Sequence, residues 1–85
     1  AIGIRTEVEH ILSTGRIDIL CDTPRYIYVI ELKLTKNGGL VAAEKQIMNN
    51  QYLEPFKADK KRKVVGLAIE LDDMGKGLLE WKKVE

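Results

Sequence analysis

One cysteine, one histidine, two prolines and seven glycines are all that this chain holds of the residues that mark special chemistry or special backbone. A lone Cys21 excludes an internal disulfide and a cysteine-built zinc centre. A lone His10 makes a poor case for a metal ligand and reads as an exposed strand residue. So few Pro and Gly among 85 residues exclude a collagen-like or disordered chain. No apolar run approaches the roughly 20 residues that span a bilayer. Neither sign of charge dominates: 14 basic and 13 acidic side chains leave +1. Any case for nucleic acid or an anionic membrane must therefore be local. No Walker-type phosphate loop is present.

What remains is a globular composition, 45% hydrophobic and 32% charged, long enough for a single domain over residues 1–85. A domain of this size buries only about 60–65% of its unfolded surface and is marginal alone. The chain starts at Ala1 without an initiator Met or signal peptide. The expectation is a fragment of a longer chain that leans on a missing N-terminal element or on a second copy.

Residues 2–11 carry Ile2, Ile4, Val8 and Ile11 among polar neighbours, a loose strand pattern. Ser13-Thr14-Gly15 is turn chemistry. Residues 16–21 form a short strand, and Asp22-Thr23-Pro24-Arg25 a second turn. Residues 26–34 are the strongest strand, apolar on both faces at Tyr26-Ile27-Tyr28-Val29-Ile30. Good helix formers then run over residues 40–56, with Pro55 marking the end. Residues 63–71 read as a second buried strand and residues 78–84 as a more exposed one. The order β-β-β-α-β-β predicts an α/β fold: a mixed five-stranded sheet, a meander of three strands and one crossover helix that makes two strands parallel. The second face of the sheet has no cover in this chain. Trp81 and Phe56 read as core residues.

Strand parity puts Ile27, Val29, Glu31 and Lys33 on one face. The turn at 22–25 pairs residue 18 with about residue 29, so a stagger or bulge is needed to bring Asp18 beside Glu31. Two carboxylates and an ammonium inside an apolar sheet cost several kcal/mol per ion. A hard divalent cation relieves that cost, because carboxylate oxygens, a backbone carbonyl and water suit magnesium. A neighbouring Lys fits chemistry at phosphorus, either activating water or offsetting charge on the phosphate.

Gly15-Arg16-Ile17-Asp18-Ile19, then Tyr28-Val29-Ile30-Glu31-Leu32-Lys33, then Gln46 with Tyr52 six residues on, resembles the PD-(D/E)XK nuclease superfamily. More closely, the chain resembles the nuclease-like C-terminal domain of bacterial AAA-ATPase-like proteins. The resemblance covers about residues 5–84 and implies a restriction-endonuclease-like core whose N-terminal helix is missing here. It implies that Asp18 and Glu31 bind Mg2+, with Mn2+ as the alternative metal, aided by the Leu32 carbonyl and by Glu9, with Glu7 as second choice. It assigns Lys33 as the catalytic lysine and Gln46 as a support beside the site. The implied activity is metal-dependent hydrolysis of DNA, with RNA as second choice. The alternative is a catalytically inactive module that binds nucleic acid or a protein. The implied partners are nucleic acid, an N-terminal ATPase-like domain of the parent chain and a second copy, with no membrane and a cytoplasmic location.

Glu-x-Lys alone carries no weight. With eight Glu and ten Lys a chance match is expected, and Glu80-Trp81-Lys82 is one. Lys57, Lys60, Lys61, Arg62 and Lys63 form the one basic cluster. It is either a solvated loop or, through Lys60, Lys61 and Arg62, a phosphate-contacting rim. Arg16 has three open readings: a pair with Asp18, a pair with Glu31, or a phosphate contact. Gln46 either bonds a strand carbonyl or reaches Lys33 or a metal-bound water. Tyr52, about 240° around the helix from Gln46, reads as a packing residue with a wet hydroxyl.

Overall fold

The computed structural model describes residues 4–85. Five strands follow the chain in spatial order: β1 (Arg5–Leu12), β2 (Gly15–Asp22), β3 (Tyr26–Leu34), β4 (Lys63–Leu71) and β5 (Leu78–Val84). All neighbours are antiparallel except β3 and β4, which run parallel as a strand–helix–strand crossover requires. Ile2, which the sequence places in the first strand, lies outside the described residues. Among the described residues no helix is long and apolar enough to cross a membrane.

The helix α1 (Gly39–Asn49) is shorter than its composition predicts. It ends seven residues early because Gln51 takes a left-handed backbone, φ 54°, and the Tyr52 N–H turns back to the Ile47 carbonyl at 3.1 Å. A 3-10 turn at Glu54–Phe56 then carries Pro55, where the missing N–H costs nothing. The N-terminus of α1 lacks a side-chain cap of its own. Glu70 on β4 supplies one, accepting from the Leu40 N–H at 3.1 Å and from Thr35 Oγ1 at 2.6 Å. Those two donors hold the Glu70 carboxyl below its ordinary pKa.

The helix covers one face of the sheet. Ala43 and Ile47 meet Ile27 and Val29 of β3, Ala68 of β4 and Val84 of β5, with Leu53 and Tyr52 closing the end. At Gly66 a side chain would meet the Val84 carbonyl at 3.0 Å, so glycine lets this layer close. The opposite face carries Tyr28, Ile30 and Leu32 in register with Val65, Leu67 and Ile69. Val65 is buried, whereas the other five are half-exposed, because nothing within residues 4–85 lies over them. Trp81, opposite Ile69, is 62% exposed. The expectation that it is core fails because β5 is an edge strand whose outer positions have no second layer. Phe56 does pack against the core.

Removing core volume under the helix tests this layering. Ile47→Ala should cost about 2–4 kcal/mol in urea unfolding. Val41→Ala, on the exposed side of the same helix, should stay within about 0.5 kcal/mol.

Candidate active site

Between β2 and β3 the ladder runs from Asp22–Ile27 to Ile19–Ile30 and stops. The register places Asp18 opposite Glu31, two residues further along β3 than the 22–25 turn predicts. The difference lies in the turn: Thr23 closes on Tyr26, with its N–H 2.8 Å and its Oγ1 2.9 Å from the Tyr26 carbonyl, so the hairpin centre shifts one residue towards β3. No stagger is needed.

At this position side chains replace the backbone ladder. The Asp18 N–H donates to Glu31 Oε1 at 3.2 Å, and the Leu32 N–H donates to Asp18 Oδ2 at 2.9 Å. The two carboxylates are thus held between the strands, each by the other strand's backbone. Alternation in β2 breaks here as well. Ile17 and Leu20 enter the same core although they are three residues apart, which a strand of strict period two does not allow. On the other side of β2, the pairing with β1 skips Glu9 and Asp18 and resumes at His10–Ile17 in the same register. Glu9 takes φ 59°, a costly backbone for a residue with a Cβ.

Glu31 is 1% exposed, and its Oε2 has no hydrogen-bond partner. Burial first, and the Asp18 charge second, push its carboxyl up to about 7; the Asp18 N–H and the Lys33 charge pull the other way. Lys33 follows Glu31 by two residues and opens with it onto a cleft of about 910 Å3. Asp18, Leu32, Arg16 and Gln46 share the wall, with Ser13, Thr14 and Gly15 of the β1–β2 turn.

Other predicted site residues fall elsewhere. Glu9 is off the cleft wall, and its Oε1 pairs with Arg16 Nη1 at 3.2 Å. Arg16 therefore pairs with neither Asp18 nor Glu31, and its exposed guanidinium stands at the cleft rim. Glu7 bonds His10 Nδ1 at 2.7 Å, which leaves His10 half-buried near the Phe56 ring rather than exposed. Lys60, Lys61 and Arg62 lie just before β4, beside the start of β3 where Lys63 pairs with Tyr26. The cleft begins at Glu31, five residues along β3 from Tyr26 and so roughly 17 Å away at about 3.3 Å per residue. Arg62 is itself tied to Asp22 and Asp59.

Gln46 reaches neither a strand carbonyl nor Lys33. Its amide meets the Tyr52 hydroxyl at 3.2 Å. Tyr52 is 1% exposed, so its hydroxyl is not wet. It also receives the Arg16 N–H and the Asn50 amide, each at 3.1 Å. The helical-wheel expectation failed because the helix ends before Tyr52 and the reversed chain brings the ring back under Gly15. A Cβ at Gly15 would stand 2.5 Å from the hydroxyl. Asn50 is a site neighbour that the sequence does not point to, because it comes beside Tyr52 only where the helix stops and Gln51 reverses the chain.

A divalent cation fits this donor set. Asp18 and Glu31 offer carboxylate oxygens from adjoining strands, Glu31 Oε2 lacks any partner, and Leu32, whose N–H holds Asp18, lines the same cleft. Among the described residues no third Asp, Glu, His or Cys joins the pair.

The family model described as the PD-(D/E)XK nuclease superfamily matches residues 2–81. The chain belongs to that superfamily, and its mixed five-stranded sheet with one helix agrees with the restriction-endonuclease-like fold. No curated protein and no solved structure matches it.

The raised Glu31 carboxyl has a definite sign. Folding favours its protonated form, so its share of stability is complete below about 4.5 and is lost as pH rises to about 7. Metal-free protein should lose stability over that window. Glu31→Gln should flatten the loss in urea titrations at several pH values. At pH 8, Mg2+ should raise the melting temperature of the wild type and leave that of Glu31→Gln unmoved.

Proposed function

We propose that this chain is a metal-dependent nuclease domain that hydrolyses phosphodiester bonds of DNA, with RNA as the second substrate class. The observation that carries the reading is the carboxylate pair, half-buried Asp18 and buried Glu31, at the open end of the β2–β3 ladder, with Lys33 on the same cleft wall. Membership of the PD-(D/E)XK superfamily supports it.

Asp18, Glu31 and the Leu32 carbonyl would hold Mg2+ or Mn2+. When bound, the cation supplies Lewis-acid stabilisation of charge on the phosphate. In the hydrolysis, a water oxygen bonds to phosphorus while the bond to the leaving sugar oxygen breaks. Lys33 is placed to orient the water and to offset negative charge as it grows on the phosphate oxygens. Arg16, at the rim, is the cation nearest to hand for the neighbouring phosphate, and Glu9 holds its guanidinium in place. Lys60, Lys61 and Arg62, at the far end of the sheet, would touch only a substrate long enough to run the length of β3.

One observation favours the non-cutting alternative. Among the described residues only two acidic side chains assemble, while Glu9 stays paired with Arg16. Calorimetry separates the readings: saturable Mg2+ or Mn2+ binding goes with an enzyme, and nucleic-acid binding without metal binding goes with a module.

In cleavage assays with Mg2+, Asp18→Ala and Lys33→Met should each lower kcat by about 10²-fold or more. Both should keep the wild-type circular dichroism. Arg16→Ala should mainly raise KM and weaken its salt dependence. Unchanged cleavage by Lys33→Met would remove Lys33 from the chemistry.

A further inference from the structure

Three polar groups crowd one buried hydroxyl. The Arg16 N–H, the Gln46 amide and the Asn50 amide all lie 3.1–3.2 Å from Tyr52 Oη. A phenol offers two lone pairs and one proton. Three donors exceed what it can accept, and its own buried proton would then have no acceptor. The Arg16 N–H can only donate. One of the two amides must therefore turn its oxygen to the hydroxyl, since the two ends of an amide have the same shape and their partners decide which faces where.

The cleft decides between them. Asn50 is not on its wall; Gln46 is, together with Asp18 and Glu31. If the Gln46 oxygen faced the cleft, its partial negative charge would oppose two carboxylates and an incoming phosphate. Facing the other way, it receives the Tyr52 proton and the –NH2 is offered where acceptors are in surplus, Glu31 Oε2 among them. The hydroxyl occupies the space a Cβ at Gly15 would fill, so glycine at that position is what lets it sit there.

We propose that Tyr52 is a positioning residue: its hydroxyl donates to the Gln46 amide oxygen and so aims the Gln46 –NH2 into the cleft as a hydrogen-bond donor to the scissile phosphate. The proposal rests on the nuclease reading. Asn50 donates to the hydroxyl and serves as a buttress only.

The test uses Tyr52→Phe, Asn50→Ala and Asn50→Asp in the full chain, with oligonucleotide cleavage in Mg2+ and side-chain amide NMR. Tyr52→Phe frees Gln46 and should raise KM about five- to tenfold. Asn50→Asp can only accept; it takes the Tyr52 proton, forces Gln46 to donate to the hydroxyl, and should raise KM as much. Asn50→Ala offers no acceptor and should leave KM within about twofold. The Gln46 –NH2 resonances should move in Asn50→Asp far more than in Asn50→Ala. Equal KM effects of the two Asn50 variants would overturn the proposal, as would a Tyr52→Phe that melts earlier with KM unchanged. If the wild type cleaves nothing, the nuclease reading fails; the Gln46 resonances still decide the hydrogen-bond sense, and an equal response in both Asn50 variants would overturn it.

Discussion

The site depends on an exchange of partners between two strands. Where the β2–β3 ladder ends, each strand gives its backbone N–H to the other's carboxylate instead of to a carbonyl. The two bonds are unequal: the Asp18 carboxylate is held at 2.9 Å and the Glu31 carboxyl more loosely at 3.2 Å. They hold two like charges side by side in a place where apolar packing would otherwise close. The cost is visible in Glu31, whose buried, half-satisfied carboxyl takes up a proton near neutral pH. A cation that satisfies the pair would relieve that cost, so stability and chemistry share one feature. A second distortion accompanies it across β2, where Glu9 leaves regular strand geometry opposite Asp18.

Much of this arrangement is legible in the sequence because it follows from periodicity. The order of elements, the parallel β3–β4 pair and the shared face of Val29 and Glu31 all follow from apolar runs and a parity of two. Local backbone departures were not legible. The position of Asp18 depended on one residue of turn geometry at Thr23. The Gln46–Tyr52 contact depended on where the helix stops, and Gln51 gives no clear signal of its left-handed backbone. Trp81 misled for another reason: a large apolar residue is core only if a second layer exists, and periodicity does not report layers. The basic cluster was visible, but its distance from the cleft is a property of strand direction rather than of charge.

Two faces of the sheet meet different demands. The helix side is closed by Ala43, Ile47, Leu53 and Val84, small or branched side chains that let layers approach. The other side presents Ile30, Leu32, Leu67 and Ile69 with no layer over them within residues 4–85. Leu32 belongs to both: its side chain lies on the open face, while its N–H holds Asp18. Whatever sets the environment of that open face therefore acts one peptide away from the carboxylate pair.

The long-range cap on α1 also bears on the order of assembly. Gly38 contributes no side chain to the helix start, and the acceptor for Leu40 is thirty residues downstream on β4. A nascent helix must meet its nucleation penalty without that help. It gains a firm beginning only once β4 has aligned beside β3, a non-local event that is slow by nature. The start of the helix that carries Gln46 to the cleft wall is thus secured by the sheet itself, through a residue thirty positions away.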